Sequence, residues 1–105
     1  MPDIIMLSTC SDLVEAEKIA KTIVEKRLAA CINIFPVHSI FRWKLSIEES
    51  DEQLLIIKTS LRLFEKVSRC IQNLHSYEVP EIIAVEIKRG SRPYLKWLED
   101  SVRQR

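Results

Sequence analysis

The sequence contains a single glycine, Gly90, among its 105 residues. A loop that wraps a nucleotide phosphate usually needs several closely spaced glycines, so this composition argues against a phosphate-binding loop. An excess of charge of one sign is also lacking, because 16 basic residues balance 15 acidic residues and the formal net charge is +1. Without a basic face, a nucleic-acid partner has no electrostatic support.

Cysteine is sparse, and the spacing of Cys10, Cys31 and Cys70 matches no zinc-ligand pattern. Reduced thiols are the simplest interpretation of this odd number, so we expect a cytoplasmic protein. No apolar run approaches the length that crosses a membrane, and no basic region precedes Ile4 as it would in a signal peptide. We therefore expect no membrane partner, and one domain over residues 1–105.

The first part of the chain predicts a strand followed by a helix. The short apolar run 4–7 is typical of a strand that is buried on both faces, and residues 8–12 are expected to form a turn. Apolar residues then recur at helical spacing as far as Leu28. Asp12 lies three residues before Glu15, as in a capping box that starts a helix.

The middle of the chain predicts a long hairpin. From Ala29 onward apolar residues occupy even positions, but after Pro36 they occupy odd positions. Such a change of face needs an extra residue or a bend, and proline is tolerated at sheet edges or bulges. We interpret this segment as one long strand bent near Pro36, followed by a polar hairpin end over 46–53 and a return strand over 54–57.

A second helix over 61–74, a strand over 82–87 and a closing helix that begins near Pro93 complete the order β-α-β-β-α-β-α. This order predicts an α+β, ferredoxin-like βαββαβ sandwich with an antiparallel sheet, a long bent hairpin and an extra C-terminal helix. Both long helices then cover one face of the sheet. The strands are apolar on both faces, and the last helix is too short to cover the second face, so we expect another subunit there.

Residues 75–81, His-Ser-Tyr-Glu-Val-Pro-Glu, bring an imidazole, a phenol and two carboxylates into one turn. Pro80 favours an extended backbone at the preceding residue, so the helix must end before this turn. By chemistry alone, the turn is either a functional site or a well-satisfied turn, and the second is commoner. Taken singly, His75 is typical of a helix cap, Cys10 of a small half-buried apolar residue, and Glu52 of a solvated carboxylate.

The same segment resembles the signature of the CutA family, small trimeric proteins linked to tolerance of divalent cations. Four further matches follow the family order: residues 25–33, 39–43 with 47–49, 58–59, and Gly90 with 94–97. Together they span nearly the whole chain. The sequence departs from the family pattern at Phe41, Leu45 and Ser76, where the family usually has Tyr, Gly and Pro.

The resemblance implies a homotrimer that binds divalent metal ions and is not an enzyme. In copper- or mercury-binding members a Cys, a Glu and a His supply ligands, and Glu52 and His75 stand at the matching positions here. The matching Cys position is Ser8, but Cys10 lies two residues further along the strand, on the same face and about 7 Å away. The candidate metal ligands are therefore Cys10, Glu52 and His75, with Cu or Zn as a non-obligatory cofactor.

Two alternatives remain open at this point. Ferredoxin-like trimers with long hairpins also resemble PII signalling proteins, which hold small effectors between subunits. A small hydrolase or isomerase could instead use His75 and Glu78 in a cleft between subunits. Nucleophilic catalysis has little support, because no Gly-x-Ser-x-Gly elbow or oriented Cys–His pair is present.

Overall fold

The structure, a computed structural model, describes residues 2–104. Its elements are β1 (Asp3–Cys10), α1 (Leu13–Glu25), β2 (Cys31–Trp43), β3 (Ser46–Ser60), a short 3₁₀ turn (Leu61–Leu63), α2 (Phe64–Leu74), β4 (Ile83–Glu86) and α3 (Arg92–Ser101). The four strands form one sheet in the order β2-β3-β1-β4, and every neighbouring pair is antiparallel. This confirms the predicted ferredoxin-like α+β fold with its extra C-terminal helix.

The hydrophobic core lies between one face of the sheet and the helices α1 and α2. Met6 of β1 pairs with Ile57 of β3, and alternate residues of both strands point the same way. These side chains pack against Ile19 and Ile23 of α1 and Ile71 of α2, all of which are nearly inaccessible to solvent. Burying a large aliphatic side chain contributes about 1.5–3 kcal/mol, so this layer supplies most of the stability of the fold.

The start of α1 follows the predicted cap only in part. The Asp12 carboxylate accepts a hydrogen bond from the backbone N–H of Glu15 at 2.8 Å, as expected. The Glu15 carboxylate does not return to the cap but reaches Ser76, sixty-one positions along the chain. The motif therefore starts a helix and also ties it to a distant turn.

β1 is longer than the sequence predicts, and the predicted turn over residues 8–12 is wrong for its first three residues. Ser8, Thr9 and Cys10 continue the ladder and pair with residues 55, 54 and 53 of β3. All three are buried. The β-ladder, rather than local side-chain chemistry, decides the conformation here.

The hairpin is one uninterrupted ladder from Cys31 opposite Lys58 to Trp43 opposite Ser46. This register excludes an extra residue at Pro36, which lies on the edge strand as expected. β3 begins at Ser46, so the predicted polar hairpin end over 46–53 is wrong. Residues 40–49 are all exposed, because the hairpin extends beyond the core. Buried and exposed side chains therefore do not alternate there, and the sequence shows no strand pattern.

The second face of the sheet is apolar and incompletely covered. Cross-strand partners share a face, so the register places these seven side chains on it: Ile5, Leu7, Phe35, Leu54, Ile56, Ile83 and Val85. Phe35, Ile83 and Val85 are 45%, 50% and 54% exposed. α3 does bury Leu98, but it leaves this apolar face incompletely covered, as the sequence predicted.

No helix within residues 2–104 is long and apolar enough to cross a membrane.

Candidate functional site

The segment 75–82 connects α2 to β4 and lies beside the end of β1. α2 ends at Leu74, and the N–H of His75 donates to the carbonyl of Ile71 at 2.9 Å. β4 pairs with β1 only as far as Leu7, so the last residues of β1 have no strand neighbour on that side. The segment supplies partners there instead, because the His75 imidazole bonds to the carbonyl of Thr9.

The hydrogen bonds of His75 fix its tautomer. Nε2 lies 2.7 Å from the Thr9 carbonyl oxygen, which can only accept, so Nε2 carries the proton. Nδ1 accepts from the backbone N–H of Tyr77 at 3.0 Å and therefore carries none. The His75 side chain is 0% exposed. It caps a carbonyl as a helix-terminal histidine often does, although the carbonyl belongs to another element.

Cys10, Glu15 and His75 form a cluster whose thiol, carboxylate and imidazole atoms lie within 4.8 Å of one another. Among residues 2–104 no other group of three such donors is this compact. Burial, followed by the nearby carboxylates of Glu15 and Asp12, raises the pKa of the Cys10 thiol to about 12. A thiolate and an imidazole suit Cu or Zn, but a metal must displace the thiol proton to use this sulfur.

Glu52 lies outside this cluster. It is 6% exposed within β3, so the expectation of a solvated carboxylate is wrong. Its Oε2 accepts a 2.6 Å hydrogen bond from the Tyr77 hydroxyl. Burial and the Glu52 carboxylate raise the pKa of Tyr77, so the phenol remains a donor. Tyr77 thus connects Glu52 to His75, and the ligand set of Cys10, Glu52 and His75 stays a prediction.

Glu15 is the residue of this region that sequence reasoning did not select. Its carboxylate accepts from the backbone N–H and from the hydroxyl of Ser76, both at 3.1 Å. Ser76 stands where the resembled family usually has proline, which has no N–H to donate. The departure at Ser76 and the position of Glu15 in the first turn of α1 were visible in the sequence, but no sequence period connects residues 61 positions apart.

Ser8, at the position where the family resemblance implies a cysteine, is fully buried in β1. Its hydroxyl has no hydrogen-bond partner within the described part of the chain. Ser8 and Cys10 point to the same face of the strand because side chains alternate. Cys10 therefore lies on the face that the resemblance implies for the missing sulfur.

A cleft of about 1010 Å³ lies between the hairpin and the segment 75–82. Phe41, Trp43 and Tyr77 contribute aromatic walls, and no lysine or arginine lines it. Five carboxylates do: Glu48, Glu49, Glu52, Glu78 and Glu81. This charge favours cations. Glu78 is exposed and makes no hydrogen bond with His75 among the described residues, so the pair needed by a hydrolase is not assembled.

Comparison with known proteins identifies the family of this chain. A family model described as CutA1 divalent ion tolerance protein matches residues 4–101. The divalent-cation tolerance protein CutA of Thermus thermophilus is 43% identical over 102 residues, which is 96% of this chain and 98% of that protein. A solved structure of the periplasmic CutA of Archaeoglobus fulgidus superposes with a TM-score of 0.94 at 40% identity, covering 96% of this chain and 99% of that one.

A chloroplastic CutA of Arabidopsis thaliana is 39% identical over 104 residues, which is 98% of this chain and 57% of that protein. The compartments named for these relatives differ, so the cytoplasmic location stays a prediction. The family match, the identities and the shared fold extend over nearly the whole chain. The chain therefore belongs to the CutA family of divalent-ion tolerance proteins.

Proposed function

We propose that this protein is a cytoplasmic homotrimer that binds divalent cations of the copper or zinc type and thereby contributes to metal tolerance. One observation carries the proposal: a thiol, a carboxylate and an imidazole converge within 4.8 Å at the end of β1. Sulfur and imidazole donors select Cu and Zn, whereas Mg²⁺ and Ca²⁺ prefer oxygen. The ion is the cargo of the protein, and no catalytic step is involved.

Within the site, Cys10 and His75 would act as ligands, and Glu15 or Glu52 would supply the carboxylate. The thiol must lose its proton, and Nδ1 must be released from the Tyr77 N–H before it can bind an ion. In both steps the metal ion must compete with a proton or a hydrogen bond that the donor atom already has. We therefore expect moderate affinity that falls as pH falls, because protons compete for the same donors.

The proposal of a trimer is based on two features, the apolar second face of the sheet and the exposed hairpin. Seven apolar side chains share that face, and such a surface usually marks an interface. The edge strand β2 presents unpaired backbone groups over thirteen residues, and pairing with a neighbouring subunit would remove this exposed edge. Trp43, near the hairpin end and 39% exposed, is then expected in the interface.

Titration calorimetry with Cu²⁺ or Zn²⁺ at pH 7.5 tests the metal site. The wild-type protein should bind, and His75→Ala should weaken binding tenfold or more, on the order of 1.4 kcal/mol. His38→Ala is the matched control, because His38 lies on the exposed hairpin and not in the cluster. Equal affinity of the wild type and His75→Ala would place the metal elsewhere.

Two further variants assign the remaining donors. Cys10→Ser should retain binding but lose the preference for soft metals, and no effect would show that Cys10 only packs. Glu52→Gln and Glu15→Gln separate the two carboxylates, since only the variant that removes a ligand should lower affinity.

Light scattering at low micromolar concentration tests assembly, and three times the chain mass is expected. Val85→Asp places a charge on the apolar face and should dissociate the assembly. Val14→Asp is its control, because Val14 is 78% exposed on α1. Trp43→Ala should lower thermal stability in a concentration-dependent way. A wild-type monomer, or equal behaviour of the two Asp variants, would contradict the proposed interface.

The second candidate function is a PII-like trimer that holds a small effector, and the acidic, aromatic cleft is the observation in its favour. Native mass spectrometry of protein purified without chelator separates the two. A bound metal supports the first proposal, and a co-purified organic ligand supports the second. Cell fractionation, with a cytosolic marker as reference, tests the predicted compartment.

A further inference from the structure

The end of the sheet opposite the Cys10–Glu15–His75 cluster carries a second set of buried polar groups. Asp3 is the first residue of β1 and pairs with Ser60, the last residue of β3. Directly paired residues on one face have Cβ atoms about 4.5–5.5 Å apart, so these two side chains are neighbours. The carboxyl group of Glu99 in α3 is close enough to Asp3 to raise the pKa of the Asp3 carboxyl group.

Three oxygen atoms of this set are buried and have no hydrogen-bond partner within residues 2–104: Asp3 Oδ1, Ser60 Oγ and Glu99 Oε2. Ser60 is 0% exposed, so water does not reach its hydroxyl from the surface. A buried polar atom without a partner destabilises the folded state, because it has lost its hydrogen bonds to water. Three such atoms from three different elements at one place are the arrangement that a bound ion would satisfy.

A guanidinium lies beside one member of this carboxyl pair. Nη2 of Arg62 lies 3.8 Å from Oε1 of Glu99 and also donates to the Val102 carbonyl at 3.4 Å. This guanidinium opposes one of two adjacent carboxylates. Burial, followed by a hydrogen bond with Glu99 and the charge of Glu99, raises the pKa of the Asp3 carboxyl group to about 6, as expected for two carboxyl groups held close together.

We propose that Asp3, Ser60 and Glu99 form a binding site for a hard divalent cation of the Mg²⁺ or Ca²⁺ class. Two carboxylates and a hydroxyl are all oxygen donors, which these ions prefer, and water can complete the coordination. The ion would reduce the repulsion between the two carboxylates and give each orphaned oxygen a partner. It would also join β1 and β3 to α3, whose buried Leu98 already packs against the body of the protein.

This site differs from the proposed copper or zinc site in chemistry and in place. It contains no sulfur or imidazole. Asp3 and Cys10 are the two ends of β1, and at 3.3 Å per residue they are about 23 Å apart. Each site can therefore fail without the other, and their variants can be tested independently.

Thermal unfolding of chelator-treated protein at pH 7.5 tests the proposal. Millimolar MgCl₂ or CaCl₂ should raise the midpoint by several degrees relative to NaCl of equal ionic strength, because a ligand that binds only the native state stabilises it. The larger of the two shifts identifies the preferred ion. No shift beyond that of NaCl overturns the proposal.

Asp3→Asn and Glu99→Gln should each abolish the cation-dependent shift. Both should still fold without metal, since each removes one of two repelling charges, and near-ultraviolet circular dichroism checks this. Asp100→Asn is the matched control, because Asp100 is the next residue of α3 but pairs with Lys96 and Arg103. Equal shifts in Asp3→Asn and Asp100→Asn would contradict the site.

Two further readouts exclude a purely structural role for the carboxyl pair. Equilibrium dialysis with Mn²⁺ should show one ion per chain that Mg²⁺ displaces, and Asp3→Asn should lose it. At pH 5 the shift should shrink because protons occupy the carboxyl groups. His75→Ala should leave the Mg²⁺- or Ca²⁺-dependent shift unchanged. If this variant loses the shift, the ion binds at the Cys10–Glu15–His75 cluster instead.

Discussion

The hydrogen bond between Tyr77 and Glu52 should be a major support of the segment 75–82. The 2.6 Å distance is typical of a hydroxyl that donates to a carboxylate, and Glu52 is only 6% exposed. Tyr77→Phe removes the donor and leaves a buried carboxylate oxygen without it. Hydrogen bonds to charged groups contribute about 1.5–3 kcal/mol, so unfolding should become easier by about this amount. The midpoint should fall by about 4 °C for each kcal/mol.

A double-mutant cycle separates the bond itself from other effects of the substitution. Glu52→Gln keeps an acceptor of the same shape but removes the charge, and the double variant Tyr77→Phe with Glu52→Gln closes the cycle. Residues in direct contact couple by about 0.5–3 kcal/mol, and we expect at least about 1 kcal/mol here. Denaturant unfolding should be measured at one fixed protein concentration, since assembly adds to stability.

Tyr94→Phe is the control for this experiment. Tyr94 is 42% exposed, and its hydroxyl has no hydrogen-bond partner in the described part of the chain. This variant should change the free energy of unfolding by less than about 0.5 kcal/mol. If Tyr77→Phe is equally harmless, the bond is not formed in solution and the connection from Glu52 to His75 is wrong.

Two further predictions concern the hairpin. Lys44 has a φ of 55°, whereas Leu45 next to it does not have a positive φ. Glycine costs about the same chain entropy at either position, but it relieves backbone strain only at Lys44. Lys44→Gly should be more stable than Leu45→Gly by about 1 kcal/mol in denaturant unfolding, and equal stability would contradict the strained turn. Hydrogen bonds to Asp51 and Glu49 raise the pKa of His38 above 6.5, so its contribution to stability is complete below 6.5 and is lost as pH rises through the higher folded value. An NMR titration should show this raised pKa, and Asp51→Asn should bring it down; a wild-type pKa at or below 6.5 would contradict the bridge.

The elements whose buried side chains recur at a regular spacing were predictable from the sequence, and the others were not. α1 has one apolar face against the core, so its period and its Asp12 cap were readable, as was Pro93 in the first turn of α3. The hairpin end over residues 40–49 has both faces exposed, so the pattern could not show where β3 begins. At Ser8–Cys10, polar residues suggested a turn, but pairing with β3 determined a strand.

The candidate site was predictable only where one segment carries it. His75 and Tyr77 stand in a recognisable run, and the structure places both at the end of β1. Glu15 meets His75 only because α1 and α2 pack side by side, and no local pattern encodes that contact. Glu52 looked like a solvated carboxylate for the same reason, since its burial depends on a tyrosine twenty-five residues later.

The double contact between Glu15 and Ser76 has a mechanical consequence. Both oxygens of this carboxylate hold the segment 75–82 against α1, and the same carboxylate lies in the cluster with Cys10 and His75. One carboxylate that turns toward an ion cannot keep both bonds to Ser76. Loading the cluster through Glu15 would therefore loosen the segment, and that segment also forms one wall of the acidic cleft. Proline at position 76 would supply neither the N–H nor the hydroxyl, so this double contact with Glu15 depends on Ser76.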